Sequence, residues 1–155
     1  MIRSLVDAAA GSEIDPQIIL AVIVQESQGN QWAVRFEPKF YERKLQHLGR
    51  SDLAGYVPGL LPTLATEKTL RATSWGLMQI MGETARVVGF KDPYLSRLLD
   101  PALNISIGTK YLKMLLSRKN GDTRAALLAY NGGGDPLYPD RVIEHIATGR
   151  ISSIG

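Results

Sequence analysis

The stretch that most constrains this chain is Ile18-Ile19-Leu20-Ala21-Val22-Ile23-Val24-Gln25-Glu26-Ser27. Asp15-Pro16 stands before it. Asp15 can cap a helix N-terminus, and Pro16 suits the first helical position, where a missing N–H costs nothing. Gln28-Gly29-Asn30 follows, and Gly and Asn tolerate the left-handed conformation that ends helices. Ile19, Val22 and Ile23 share one face of the helix, and Glu26 continues it. Burial and the negative end of the helix dipole both disfavour a charged carboxylate there, so both push its pKa up. A carboxylic acid kept protonated near neutral pH is what a general acid requires. The helix alone equally allows Glu26 to turn to solvent at a frayed end.

With 155 residues, 45% hydrophobic and 21% charged, the chain fits one globular domain, residues 1–155. It has no cysteine, which excludes disulfides and thiolate metal sites. His47 and His145 lack the paired spacing of a zinc motif and read as ordinary surface or core residues, so no metal is expected. The net charge of +3 comes from scattered Lys and Arg, and no nucleic-acid partner is expected. Ile18–Val24 is too short to span a bilayer, so no membrane insertion is expected. No apolar run precedes Asp7, and no signal peptide is expected.

Periodicity and punctuation predict a mainly helical chain. Helices are expected over Met1–Ala10, Glu37–Leu48, Leu64–Leu70, Gly82–Val88, Asp100 to about Lys119, Asp122–Tyr130 and Pro139–Ala147. Asp100-Pro101 repeats the cap-plus-proline start, and Asp122 caps the Ala-rich helix. Gly49, Gly55, Pro58, Gly59 and Pro62 predict loops. No stretch alternates with a period of two, so strands are few or absent. Ser74 reads as a helix cap for Trp75–Met81. Glu67 falls in a polar helical segment, one residue from Lys68, and Glu42, among Lys39, Arg43 and Lys44, reads as a solvated ion-pair partner.

Three stretches carry the chemistry together: Gln25-Glu26-Ser27, Gly76-Leu77-Met78-Gln79-Ile80-Met81, and Ala129-Tyr130-Asn131-Gly132-Gly133. Gln79 offers an amide inside an apolar run and needs a partner there. Tyr130 offers a phenol on an aromatic body. Taken one at a time, Met78 and Met81 also read as core filler, Asn131 as a turn residue and Trp75 as buried packing. In this order, with Asn104-Ile105, Gly108 and Tyr111-Leu112 between the last two, the stretches resemble the soluble lytic transglycosylase family. The resemblance runs from about Asp15 to Tyr130, interrupted by an inserted segment at about residues 35–72.

The resemblance implies a goose-type lysozyme-like helical domain with a substrate groove. It implies cleavage of peptidoglycan glycan strands with no cofactor, at the bacterial cell wall. Glu26 matches the catalytic acid/base, and Ser27 a residue that fixes local structure. Gln79 and Met81 match residues lining the cleft, Tyr130 a tyrosine near the catalytic site, and Asn131 its neighbour. Ser74 and Glu37 complete the expected substrate-contacting set. The inserted segment, with Arg35-Phe36-Glu37-Pro38 and Phe40-Tyr41, resembles those of phage-associated members. Phe36, Phe40 and Tyr41 are expected to anchor it. Of the family's Glu-Thr-Arg-x-Tyr-Val element, only Tyr138-Pro139-Asp140-Arg141-Val142 is recognisable, and its glutamate has no match.

Three functions are compatible with these residues. The first is transglycosylation between N-acetylmuramic acid and N-acetylglucosamine, giving 1,6-anhydromuramoyl ends. The second is hydrolysis by a muramidase using Glu26 and Glu37, although Glu37 also reads as a helix-start glutamate. The third is a non-catalytic glycan-binding or virion module. As an isolated domain the chain is expected to be a monomer.

Overall fold

The aliphatic run becomes a helix, α2 (Pro16–Ser27), that is apolar on all sides. Asp15 caps it, its side chain accepting from the Gln17 amide at 2.9 Å, and Gln28 ends it in the left-handed region at φ 54°. Every residue from Ile19 to Val24 is buried. The one-face expectation was therefore too narrow, because Leu20, Ala21 and Val24 are buried as well. The computed structural model describes residues 1–56, 59–60 and 62–154, so Pro58 lies outside the described residues.

α2 is packed by α1 (Ile2–Ala10), by α8 (Tyr138–Ala147) and by a 3₁₀ turn, Arg150–Ser153. The long α6 (Pro101–Arg118) packs on α1 and on α7 (Thr123–Tyr130). Their starts follow the sequence. Asp100 accepts from the Leu103 amide at 3.0 Å, and Asp122 from the Ala125 amide at 3.0 Å. Each satisfies a backbone donor that the first helical turn would otherwise leave open.

Between α2 and α6 lie three short strands, β1 (Val34–Phe36), β2 (Thr73–Trp75) and β3 (Ile80–Met81), in antiparallel order β1-β2-β3. They are too short to show alternation, which is why the sequence did not reveal them. The helix expected over Trp75–Met81 is absent. β2 turns sharply through Gly76–Gln79 into β3, with left-handed Gly76 (φ 65°) and Gln79 (φ 47°). Ser74 is not a helix cap, since it sits on β2 opposite Met81.

The segment between β1 and β2 has its own small core. Its helix is shorter than expected: α3 (Pro38–Phe40) opens at once into a π-helical turn, Tyr41–Leu45, closed by the Gln46 amide on the Tyr41 carbonyl at 2.8 Å. Leu45, Leu53 and Ala72 are buried there, with Phe40, Tyr41 and Tyr56 packed against them. Phe36 does not anchor the segment. It is 45% exposed, its ring 5.9 Å from that of Tyr41.

Charge holds this small core in place. α4 (Leu64–Arg71) carries Glu67, which is fully buried although its segment reads as polar. Its Oε1 accepts from Arg71 Nε and from Arg86 Nε, both at 2.9 Å. Arg86 belongs to α5 (Gly82–Val87), and also donates to the Phe90 and Asp92 carbonyls. Arg71 reaches Glu83 at 3.1 Å and the Ala54 carbonyl at 2.7 Å. Lys68 does not pair with Glu67; it donates to the Gln46 and Leu48 carbonyls.

Glu67→Gln leaves two buried guanidinium groups without their shared countercharge, a loss that typically costs about 3–5 kcal/mol. Urea denaturation of the variant is expected to show a drop of that order. An unchanged midpoint would mean that the network contributes nothing.

Candidate active site

Glu26 stands on the last turn of α2, half-buried, with its carboxyl in an open groove of about 570 Å³. Glu26 Oε1 accepts a 2.6 Å hydrogen bond from the Tyr138 hydroxyl. Burial raises its pKa above the ordinary 4.5, while the Tyr138 hydrogen bond and the Arg35 charge pull the other way. The net shift is upward, because the loss of water outweighs both. Burial, reinforced by the Glu26 charge, pushes the Tyr138 hydroxyl far above its usual range, so it remains a donor.

Most of the expected residues meet here. Glu37, Ser74, Gln79, Met81, Tyr130 and Asn131 line the same groove as Glu26. Ser27 does not line it. Its hydroxyl lies 2.7 Å from the Leu77 carbonyl and 3.3 Å from that of Ile23, tying the β2–β3 turn to α2. Ser27 was also expected among the substrate contacts, but its place outside the groove and its bonds fit a part in fixing local structure.

The turn that presents Gln79 is held by a buried amide. Asn104 on α6 accepts from the Met78 amide at 2.8 Å and donates to the Trp75 and Leu98 carbonyls, both at 2.8 Å. Any Cβ on Gly76 would lie 2.6 Å from the Asn104 amide nitrogen, so close approach as well as positive φ requires glycine. Gln79 then spends its amide hydrogens on the Ala33 and Gly76 carbonyls, at 3.0 and 2.9 Å. What it leaves for a ligand is its carbonyl oxygen.

The aromatic wall is similar. The Tyr130 hydroxyl donates to the Met78 carbonyl at 2.8 Å, so its ring rather than its proton is presented to the groove. Tyr111 packs against it with ring centroids 5.5 Å apart. Burial, the Glu26 charge and Tyr111 all hold the Tyr130 phenol well above its usual pKa. Asn131 is exposed at the groove's edge. Met81 lines the groove, whereas Met78 and Trp75 are buried, Trp75 Nε1 donating to the Leu70 carbonyl at 3.1 Å.

Glu37 is the second carboxylate of the groove. Arg35 Nε lies 2.5 Å from its Oε1 and engages it directly. Sequence reasoning missed Tyr138, Arg35 and Asn104 as site-building residues. Tyr138 belonged to a recognised element, but nothing local says that it meets a glutamate 112 residues away. His145 is buried, its Nε2 3.0 Å from Gln25 Oε1, in keeping with an ordinary core residue. Among the described residues, no cluster of three His, Asp or Glu is arranged to hold a metal, and no helix is long and apolar enough to cross a membrane.

Over 147 residues the chain is 27% identical to a transglycosylase of Enterobacteria phage PRD1, covering 90% of this chain and 40% of that protein. Over 59 residues it is 36% identical to an endolysin of the same phage, covering 37% of this chain and 40% of that protein. The chain thus spans about two-fifths of the length of the curated relatives it matches. No solved structure matches it. The transglycosylase SLT domain family matches residues 4–138, which contain every groove residue named above, and the chain belongs to that family.

Proposed function

We propose that this chain is the catalytic domain of a peptidoglycan lytic transglycosylase acting on glycan strands of the bacterial cell wall, with the segment at about 35–72 forming one wall of its groove. The observation that carries the reading is the Glu26 carboxyl, raised in pKa and held by Tyr138 in an open groove. Glu26 protonates the glycosidic oxygen between N-acetylmuramic acid and N-acetylglucosamine. The C1–O bond breaks, and the muramoyl acetamido oxygen stabilises the cationic centre. The carboxylate left on Glu26 then accepts the proton of the muramoyl C6 hydroxyl as that oxygen attacks C1. The product is a 1,6-anhydromuramoyl end; no water is consumed and Glu26 is again protonated. The cycle as written uses no cofactor.

The other groove residues fit supporting parts. The free Gln79 oxygen can accept from a sugar hydroxyl or acetamido N–H. Met81 and the rings of Tyr130 and Tyr111 offer apolar surface to sugar faces. Ser74 and Asn131 add polar contacts. Tyr138 positions Glu26 and moderates its pKa.

Hydrolysis is a second reading, favoured by the presence of Glu37 in the same groove. A hydrolase of the usual kind needs a second carboxylate to attack C1 or to activate water. The Arg35 bond occupies a Glu37 oxygen, and this favours transglycosylation.

Purified peptidoglycan digested with this protein is expected to yield muropeptides lighter by one water than hydrolytic ones. Hydrolytic masses, with activity lost in Glu37→Gln, would replace transglycosylation with hydrolysis. Glu26→Gln keeps shape and polarity but has no proton to give, and a loss of at least about a hundredfold in rate is expected. Near-normal turnover by the folded variant would overturn the role of Glu26.

Two pH measurements separate the carboxyl's environment from its chemistry. Only protonated Glu26 starts the reaction, so activity falls as pH rises through its pKa. The Tyr138 hydrogen bond lowers that pKa. In Tyr138→Phe the alkaline limb of kcat/KM is therefore expected to move to higher pH, besides any loss in rate. For stability, a carboxyl raised on folding contributes fully below its ordinary 4.5, and the contribution is lost as pH rises through the folded value. Gln at position 26 does not titrate. Glu26→Gln is thus expected to gain in Tm over the parent as pH rises above 4.5. A gain that is the same at every pH would argue against a buried carboxyl.

A further inference from the structure

The wall of the groove supplied by the inserted segment carries charge that the proposed reaction does not use. Lys39 and Arg43 line the groove together with Glu26. They stand four positions apart, across the junction of α3 and the π-helical turn, so both can project to one side. Arg43 Nε donates to the Lys39 carbonyl at 3.1 Å, which fixes the stem of the arginine along the turn. Neither residue forms an ion pair among the described residues. Glu42 between them is exposed and does not line the groove. The remaining groove charges balance, since Arg35 and Glu37 pair with each other and Glu26 resists ionisation. Two unmatched cations remain in the groove that holds Glu26.

A chain of N-acetylated sugars is neutral, so its hydroxyls and acetamido groups do not call for two cations. The muramoyl sugar differs by its lactyl substituent. That substituent ends either in a free carboxylate or in a stem peptide that itself carries carboxylates. Resting on the function proposed above, we infer that Lys39 and Arg43 form a subsite for carboxylates borne by the muramoyl substituent. Arginine offers a planar fork that matches a carboxylate, and lysine a mobile point charge beside it. Both side chains are at the groove's rim in water, so they act by steering and selecting charged strands more than by tight binding.

The test separates this subsite from the catalytic reading. In a Glu26→Gln background, chosen to suppress cleavage, affinity is measured for four short glycans. These are a muramoyl oligomer with free stem-peptide carboxylates, the same oligomer with those carboxylates amidated, a peptide-free oligomer with lactyl carboxylates, and chitotetraose. Adding Lys39→Glu and Arg43→Glu is expected to weaken the first by about tenfold or more at low salt, the combined effect of two rim charges reversed. The amidated oligomer and chitotetraose are expected to change by less than about twofold on the same grounds. A loss confined to the peptide-free oligomer assigns the contact to the lactyl carboxylate, a loss confined to the first assigns it to the stem peptide, and a loss for both assigns a subsite that accepts either carboxylate. Added salt is expected to erase the difference between parent and variant. Equal weakening for all four ligands, or none for either carboxylate-bearing ligand, overturns the subsite. Failure of the parent to bind any of the four overturns the glycan reading itself, and this inference with it.

Discussion

Three hydrogen bonds from the side chain of Asn104 set the geometry of the groove. They join α6 to the Gly76–Gln79 turn at the Met78 amide and the Trp75 carbonyl, and to the Leu98 carbonyl before α6. The turn cannot satisfy these groups itself, because its ends are in left-handed conformations and its backbone is buried. Once the turn is fixed, other elements attach to its remaining carbonyls. Ser27 of α2 meets Leu77, and Tyr130 of α7 donates to Met78. Gly108 on α6 leaves room for Met78, since a Cβ there would lie 2.4 Å from its sulfur. The residues at the groove surface are thus held by backbone contacts one layer beneath it, from three different helices.

Glu26 shows how a site draws on the stability of its scaffold. A helix apolar on every side is secure in the core, and its C-terminal end carries the wrong sign of dipole for a carboxylate. Desolvation adds to that cost. Tyr138 and Arg35 return part of it without cancelling the upward shift. The result is a group that can both hold a proton and release it, as acid–base catalysis requires. A fully compensated carboxylate would be a poor acid, and one without any partner would be a poor base.

What was legible in the sequence was local. The Asp-Pro starts of α2 and α6 and the Asp122 cap of α7 act within a few residues, and each stands where it was read. The groove's Glu26, Gln79, Met81, Tyr130 and Asn131 came from the three motifs that carry the family resemblance. The errors arose where distant partners decide. Trp75–Met81 reads as a helix until Asn104 and the sheet pairing are known. Glu67 falls in a segment that reads as polar, and nothing beside it marks it as buried. Its actual partners are one helical turn and 19 residues away, on buried faces. Tyr138 is silent for the same reason, since its role depends on how α8 crosses α2.

The segment between β1 and β2 also depends on distant partners. A core of Leu45, Leu53 and Ala72 is too small to fix a wall by apolar burial alone. The segment is instead tied down at polar points. The Glu37 amide bonds the Ala72 carbonyl at 2.8 Å, β1 pairs with β2, and Glu67 joins Arg71 to Arg86. These ties need particular partners, so they fix position in a way that general burial does not. Strand β2 takes part on both sides. It pairs with β1, where the segment starts, and its far end enters the turn that presents Gln79. Lys39, two residues after Glu37, is therefore referenced to the same strand as the turn facing Glu26. A segment that leaves from β1 and returns into β2 can vary while the turn keeps its bonds to α2, α6 and α7.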